Sequence, residues 1–328
     1  MLNTGGLLIL GPYCYGRLMR FTKTPTTIDE QIALLRERGL MIASEDLARR
    51  WLMTVGYYRL SAYWLTFEKV PETVQTRSKQ FRQGVSFEEV VDIYTFDRKL
   101  RLLMTEAVER IEISVRSRWT NRLTLAHGAH AHMNPELFVS GWKHARMMAA
   151  LADRASESRE VFIEHYREKY CAPYLPPLWA ITELMTFGEL SKLVEATGDA
   201  RLRSAVARDI GLPTQETLTG TLQLLAYTRN ICAHHGRLWN RKTVKRAPNI
   251  KRFRDSLAWD EEAEEGQLQL SNRIYNVLTL LVLLMRHQAP DTTFPERLCN
   301  LIETRNEEQK GAMGFPENWS TRPAWVLH

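Results

Sequence analysis

Cysteine is scarce in this chain: four residues, at 14, 171, 232 and 299, none in a C-x-x-C pair. That scarcity excludes a disulfide framework and the usual spacing of a thiolate zinc site. Reduced thiols in a cytoplasmic protein are the simplest reading. Long apolar runs are missing too. The stretch 277–285 is strongly apolar but spans nine residues, well short of the roughly 20 that a membrane helix needs. Residues 7–10 (LLIL) are too few for a signal sequence and no basic residue precedes them, so 1–20 read as an extension. Neither a period-two pattern of any strength nor an internal repeat is found, which sets aside β architectures and solenoids. Acidic residues are absent from 237–254, where eight basic ones stand.

What is present is the composition of an ordinary soluble domain: 328 residues, 44% hydrophobic, 25% charged, net charge +6. The excess of positive charge is compatible with a polyanionic partner and does not require one. Helix signals dominate. Thr27 to Glu30 and Ser86 to Glu89 are capping boxes, and Ser44 before Glu45 and Asp46 opens another helix. GYYRLSAYW at 56–64 reads as an aromatic packing element, with base stacking as the rival role. Residues 71–84 form a polar linker. From 86 to 128 no glycine or proline interrupts until Gly128, and Ile93, Phe96, Leu100, Leu103, Ala107, Ile111, Val115 and Trp119 make one apolar stripe. A single long helix is expected, bent at most once, its other faces carrying solvated arginines from Arg98 to Arg122. His127, His130 and His132 invite a metal, but no carboxylate or cysteine beside them completes a site. Further helices are expected at 136–152, 157–170, 178–195, from Pro213 to the motif below, at 267–288 and at 294–309. The acidic run 260–265 is a partner for the basic loop before it. The fold class is all-α: an extension (1–20), an N-terminal helical segment (21–85), a helical domain (86–310) and a C-terminal tail (311–328).

Chemistry concentrates in RNICAHHGRLWNR at 229–241. Asn230 and His234 are four apart and share a helix face, and Arg229 is long enough to reach round to them. On an ideal helix His235 is turned about 100° away, and Gly236 is a natural terminator. Arginine and histidine suffice to break RNA without a metal: histidine moves the proton, and arginine holds the phosphate charge. Internal attack by a 2′-hydroxyl also needs an acid for the leaving oxygen. One histidine cannot serve both sides of an in-line displacement, so a symmetric homodimer with two motifs is the economical arrangement. Arg237, Arg241, Lys242, Lys245 and Arg246 are suited to RNA backbone. A capped helix end with a structural ion pair would leave the same residues behind. So would a non-catalytic RNA-binding module or an all-α regulatory protein.

The motif resembles the R-x4–6-H signature of HEPN ribonucleases, and the wider chain resembles the Abi-like family of bacterial abortive-infection proteins. The matching pieces are QIALLRERG at 31–39, GYYRLSAYW at 56–64, YTFDRKLRLL at 94–103, RIEISVR at 110–116, LPPLWAITELMTFGEL at 175–190, the motif itself and MGFPENW at 313–319. The resemblance implies a HEPN-type helical bundle with added helices and phage defence by metal-independent endoribonuclease action, with no cofactor. Arg229, Asn230 and His234 then take the catalytic roles. It also implies RNA as substrate and, as in some relatives, a small RNA that restrains the enzyme.

Overall fold

Several helices in this chain begin where a hydroxyl, carboxamide or carboxylate side chain replaces a missing backbone partner. The computed structural model describes residues 23–70, 77–139, 144–261 and 268–326. The expected extension 1–20, part of the linker (71–76) and residues 262–265 of the acidic run lie outside the described residues.

The chain divides into two compact units, one ending at Glu89 and the other beginning at Val90. In the first, the Thr27–Glu30 capping box starts α1 (Ile28–Glu37), and the Ser44 side chain caps α2 (Glu45–Thr54). Then comes α3 (Tyr57–Trp64), in which Tyr63 and Trp64 are buried. Trp64 meets Tyr57 edge-on at 4.9 Å, so this aromatic stretch packs as expected, with Tyr58 left in solvent.

The second unit holds all but the first turn of α4 (Phe87–His127), a continuous helix of 41 residues. Around it are α5 (His144–Glu157), α6 (Val161–Lys169), α7 (Leu178–Ile181), α8 (Phe187–Ala196), α9 (Ala200–Asp209) and α10 (Gln215–Ala233). The chain then forms an antiparallel pair, β1 (Trp259–Glu261) and β2 (Leu268–Leu270), with Trp259 opposite Leu270. It ends in α11 (Ile274–Gln288), α12 (Phe294–Glu303) and α13 (Glu307–Ala312). Helix α11 is buried on nearly every side and forms the centre of the core. Each fully buried leucine or isoleucine there contributes about 1.5–3 kcal/mol of transfer free energy.

The fold is all-α apart from one hairpin, but several expectations are corrected. The helix foreseen at 136–152 starts later, because Asn134 caps a short 3-10 turn at Pro135–Leu137 and Phe138 continues as an extended bridge to Thr197. The helix foreseen over 178–195 is broken at Met185, and a further capping box, Thr186 with Glu189, restarts it as α8. Helix α9, capped by Asp199, was not foreseen. The arginines of α4 are not all solvated. Arg101 and Arg116 are buried: Arg116 holds Glu112 at 2.7 Å and the carbonyls of Thr182 and Met185. Arg122 forks onto Asp209 at 2.7 and 2.9 Å. The stretch expected as a tail is buried: Phe315 meets Tyr275 edge-on at 4.9 Å, Trp325 stacks on Tyr275 at 5.8 Å, and Trp319 packs edge-on against both Phe315 and Trp325.

Candidate active site

Helix α10 is capped by Thr214 and buries Leu218, Leu222, Leu225, Ile231 and Cys232 against the unit. Its opposite face emerges at Gln223, Asn230 and His234, spaced seven and four residues apart, which is one line along a helix. Asn230 and His234 are exposed and Arg229 is half-buried. None of the three side chains makes a hydrogen bond or ion pair with a described residue, so all three are available to a ligand.

The end of the helix departs from the sequence reading. The last helical residue is Ala233 and His234 is the C-cap, with its amide bonded to the Asn230 carbonyl at 3.0 Å. His235 takes the left-handed conformation (φ +56°), donates its amide to Cys232 at 3.0 Å, and is followed by Gly236 donating to Ile231 at 2.7 Å. This is the double-bonded helix terminus that glycine usually makes. Here histidine occupies the left-handed position, and Gly236 is needed for room instead. A Cβ on it would lie 3.0 Å from Ile231 Cγ2 and 3.2 Å from the Ile231 carbonyl oxygen, tighter than ordinary contact. The 100° offset of an ideal helix therefore does not describe His235, because the backbone has already left the helix.

What fixes this terminus is a buried pair on α4. Asp97 is fully buried and accepts the amides of Leu238 at 3.1 Å and Trp239 at 2.7 Å. Arg101, one turn on, pairs with Asp97 and reaches the Gly236 carbonyl at 3.4 Å. The segment after the motif is thus held at three backbone positions by the core helix. Residue order placed Arg101 among the solvated arginines of α4 and assigned Asp97 no role. The signal was there: Ile93, Asp97, Leu100 and Met104 have helical spacing, so the carboxylate stands on the buried stripe. Beneath the motif lies Cys232. Burial pushes its thiol up to about 12, with Arg101 pulling down and Asp97 pushing up, so it carries little thiolate.

The basic loop folds back along the exposed face of α10. Arg241 donates to the Arg237 carbonyl at 3.2 Å beside Gly236, and Lys245 reaches Gln223 at 2.7 Å. Lys242 bridges to Arg273, whose guanidinium holds Asn240 at 2.7 Å. Arg241 is half-buried, while Lys242, Lys245 and Arg246 are exposed. The structure therefore brings Arg229, Asn230 and His234 to one helix end and lays the basic loop beside them. The three histidines considered for a metal stand elsewhere. His132 is fully buried, with burial first and then His130 and His144 lowering it to about 3.

A family model described as Abi-like protein matches residues 50–240, more than half of the chain, and takes in α4, α10 and the motif as far as Asn240. No curated protein and no solved structure matches the chain.

Proposed function

This chain belongs to the Abi-like protein family, and on that premise we propose that it is a metal-independent endoribonuclease acting in phage defence by abortive infection. The observation that carries the reading is the helix end itself, where an arginine, a carboxamide and a histidine stand unengaged beside a basic loop. His234 transfers the proton, Arg229 balances the charge that builds on phosphorus, and Asn230 positions the phosphate. Arg237, Arg241, Lys242, Lys245 and Arg246 hold the strand through its backbone. In the reaction the 2′-oxygen bonds to phosphorus as its proton leaves to one histidine. The bond to the 5′-oxygen breaks as a second histidine returns a proton. The products are a 2′,3′-cyclic phosphate and a 5′-hydroxyl. The second histidine comes from a second copy, so the active species is a homodimer. RNA is the substrate, and a small RNA that covers the same face is the natural restraint.

The test is cleavage by His234→Ala and Arg229→Ala. Both are expected to lose activity, by roughly 10²–10³ or more, since each removes a preorganised group, while RNA binding by His234→Ala persists. Cleavage should continue in EDTA and leave cyclic phosphates, and light scattering should give twice 38.1 kDa. Full activity in His234→Ala, or activity lost in EDTA and restored by a divalent ion, overturns the reading.

A further inference from the structure

Away from the motif, α6, α7 and the segment joining them surround a pocket of about 520 Å³. Its walls are aromatic: Phe162, Tyr166, Tyr170 and Trp179. Three of these rings are open to solvent, Trp179 at 55%, Tyr170 at 48% and Phe162 at 40% exposure. A concentration of exposed aromatic surface in a concavity marks a binding site. The wall is also held in place. The Tyr166 hydroxyl donates to the Pro173 carbonyl at 2.9 Å and lies 3.3 Å from His130 Nε2, and the Tyr166 and Tyr170 rings are 5.1 Å apart.

A second pocket of about 390 Å³ adjoins it, sharing Trp179 and Glu183. This one is polar. Ser117, Thr120, Asn121 and Thr124 line it from one face of α4. Thr120 is 6% exposed, and its buried hydroxyl has no hydrogen-bond partner among the described residues. Among the described residues Glu183 is the one carboxylate lining either pocket, and it is exposed and forms no ion pair with a described residue. Arg116 lines the polar pocket with its guanidinium already committed to Glu112 and two carbonyls.

We propose that the two pockets form one site for a guanine nucleoside. The base stacks among the aromatic rings, which accept any π face. Glu183 at the junction chooses the base. A carboxylate accepts two parallel N–H bonds, and the guanine edge offers two neighbouring donors at N1 and N2. Adenine offers one donor and one acceptor there, and the acceptor would face the carboxylate. The ribose hydroxyls meet the hydroxyl and amide groups of α4. The free charge of Glu183 disfavours phosphate at the junction, so the ligand is free guanosine or an unpaired guanosine within an RNA strand. The site stands on its own residues and does not depend on the cleavage motif.

The experiment uses full-length His234→Ala protein, which keeps RNA intact if the motif cleaves and is equally usable if it does not. Guanosine, adenosine and short single strands with and without one guanosine are titrated by calorimetry. Guanosine, or the strand bearing it, should bind at least tenfold tighter than its adenosine counterpart. Adding Glu183→Gln should abolish that preference, and adding Trp179→Ala should weaken binding of both bases about tenfold. Both side chains are exposed, so the fold should be kept, as circular dichroism will verify. Binding by the strand but not by the free nucleoside, with the same Glu183 dependence, supports the site and assigns its ligand to RNA. No guanine preference in either form, a preference that survives Glu183→Gln, or binding of an apolar dye that no nucleoside displaces would overturn the proposal.

Discussion

His235 and His234 are adjacent in sequence and opposite in physical role. His235 occupies a left-handed conformation (φ +56°), where a side chain with a Cβ is strained and glycine is not. His234 sits at the cap with ordinary dihedrals and an exposed ring. Replacement therefore separates structure from chemistry. His235→Val should destabilise the protein by about 1–2 kcal/mol in urea unfolding, because a β-branched side chain tolerates this region worst. His235→Gly should lose less than His235→Val, because glycine takes the left-handed turn without strain. A valine variant as stable as the glycine variant would mean that the left-handed turn is not adopted in solution.

Among the elements, α10 and the loop that follows it were the most legible and the least complete. The start at Thr214, the shared face of Asn230 and His234 and the positive charge of 237–254 could all be read from residue order. Where the loop goes could not, because Lys245 finds Gln223 and Asp97 finds the Leu238 and Trp239 amides across long sequence separations. Local pattern was silent on both. The same limit explains α8 and α9: short helices defined by caps at Thr186 and Asp199 carry too few turns for periodicity to declare them. The arginines of α4 were misread because charge in a sequence does not say whether a carbonyl or carboxylate waits opposite. The placement of the loop leads to a measurable expectation. Changing Lys242, Lys245 and Arg246 to alanine should weaken RNA binding about equally for unrelated sequences. The slope of log affinity against log salt should fall by roughly 0.7 for each lost contact. An unchanged slope would put the strand elsewhere.

The whole molecule carries a titration built into its core. His132 is fully buried with neither ring nitrogen bonded, and its own carbonyl accepts from His144 Nε2 at 2.7 Å. Its ring is held to about 3 from an ordinary 6.5. The unfolded chain therefore takes up a proton below 6.5 that the folded chain refuses until about 3. The associated stability is complete above 6.5 and is lost as pH falls through that window. Going from about pH 7 to about pH 5, the wild type should lose roughly 2 kcal/mol more than His132→Phe, which has nothing to protonate. Parallel stability curves for the two proteins would show that the buried ring is not neutral. No helix among the described residues is long and apolar enough to cross a membrane.

The bond from Asp97 to the segment after the motif also sets a timescale. A loop amide ordinarily exchanges its proton with solvent through small local openings. The Leu238 and Trp239 amides do not open that way, because releasing them takes two donors from a fully buried carboxylate, at about 1.5–3 kcal/mol for each hydrogen bond to a charged group. Hydrogen exchange at these two positions should therefore be as slow as in α11 and should accelerate only with global unfolding. The amides of exposed Lys245 and Arg246, a few residues on, should exchange orders of magnitude faster. The helix end that carries His234 then inherits the lifetime of the core, and what can fluctuate around it is the basic loop.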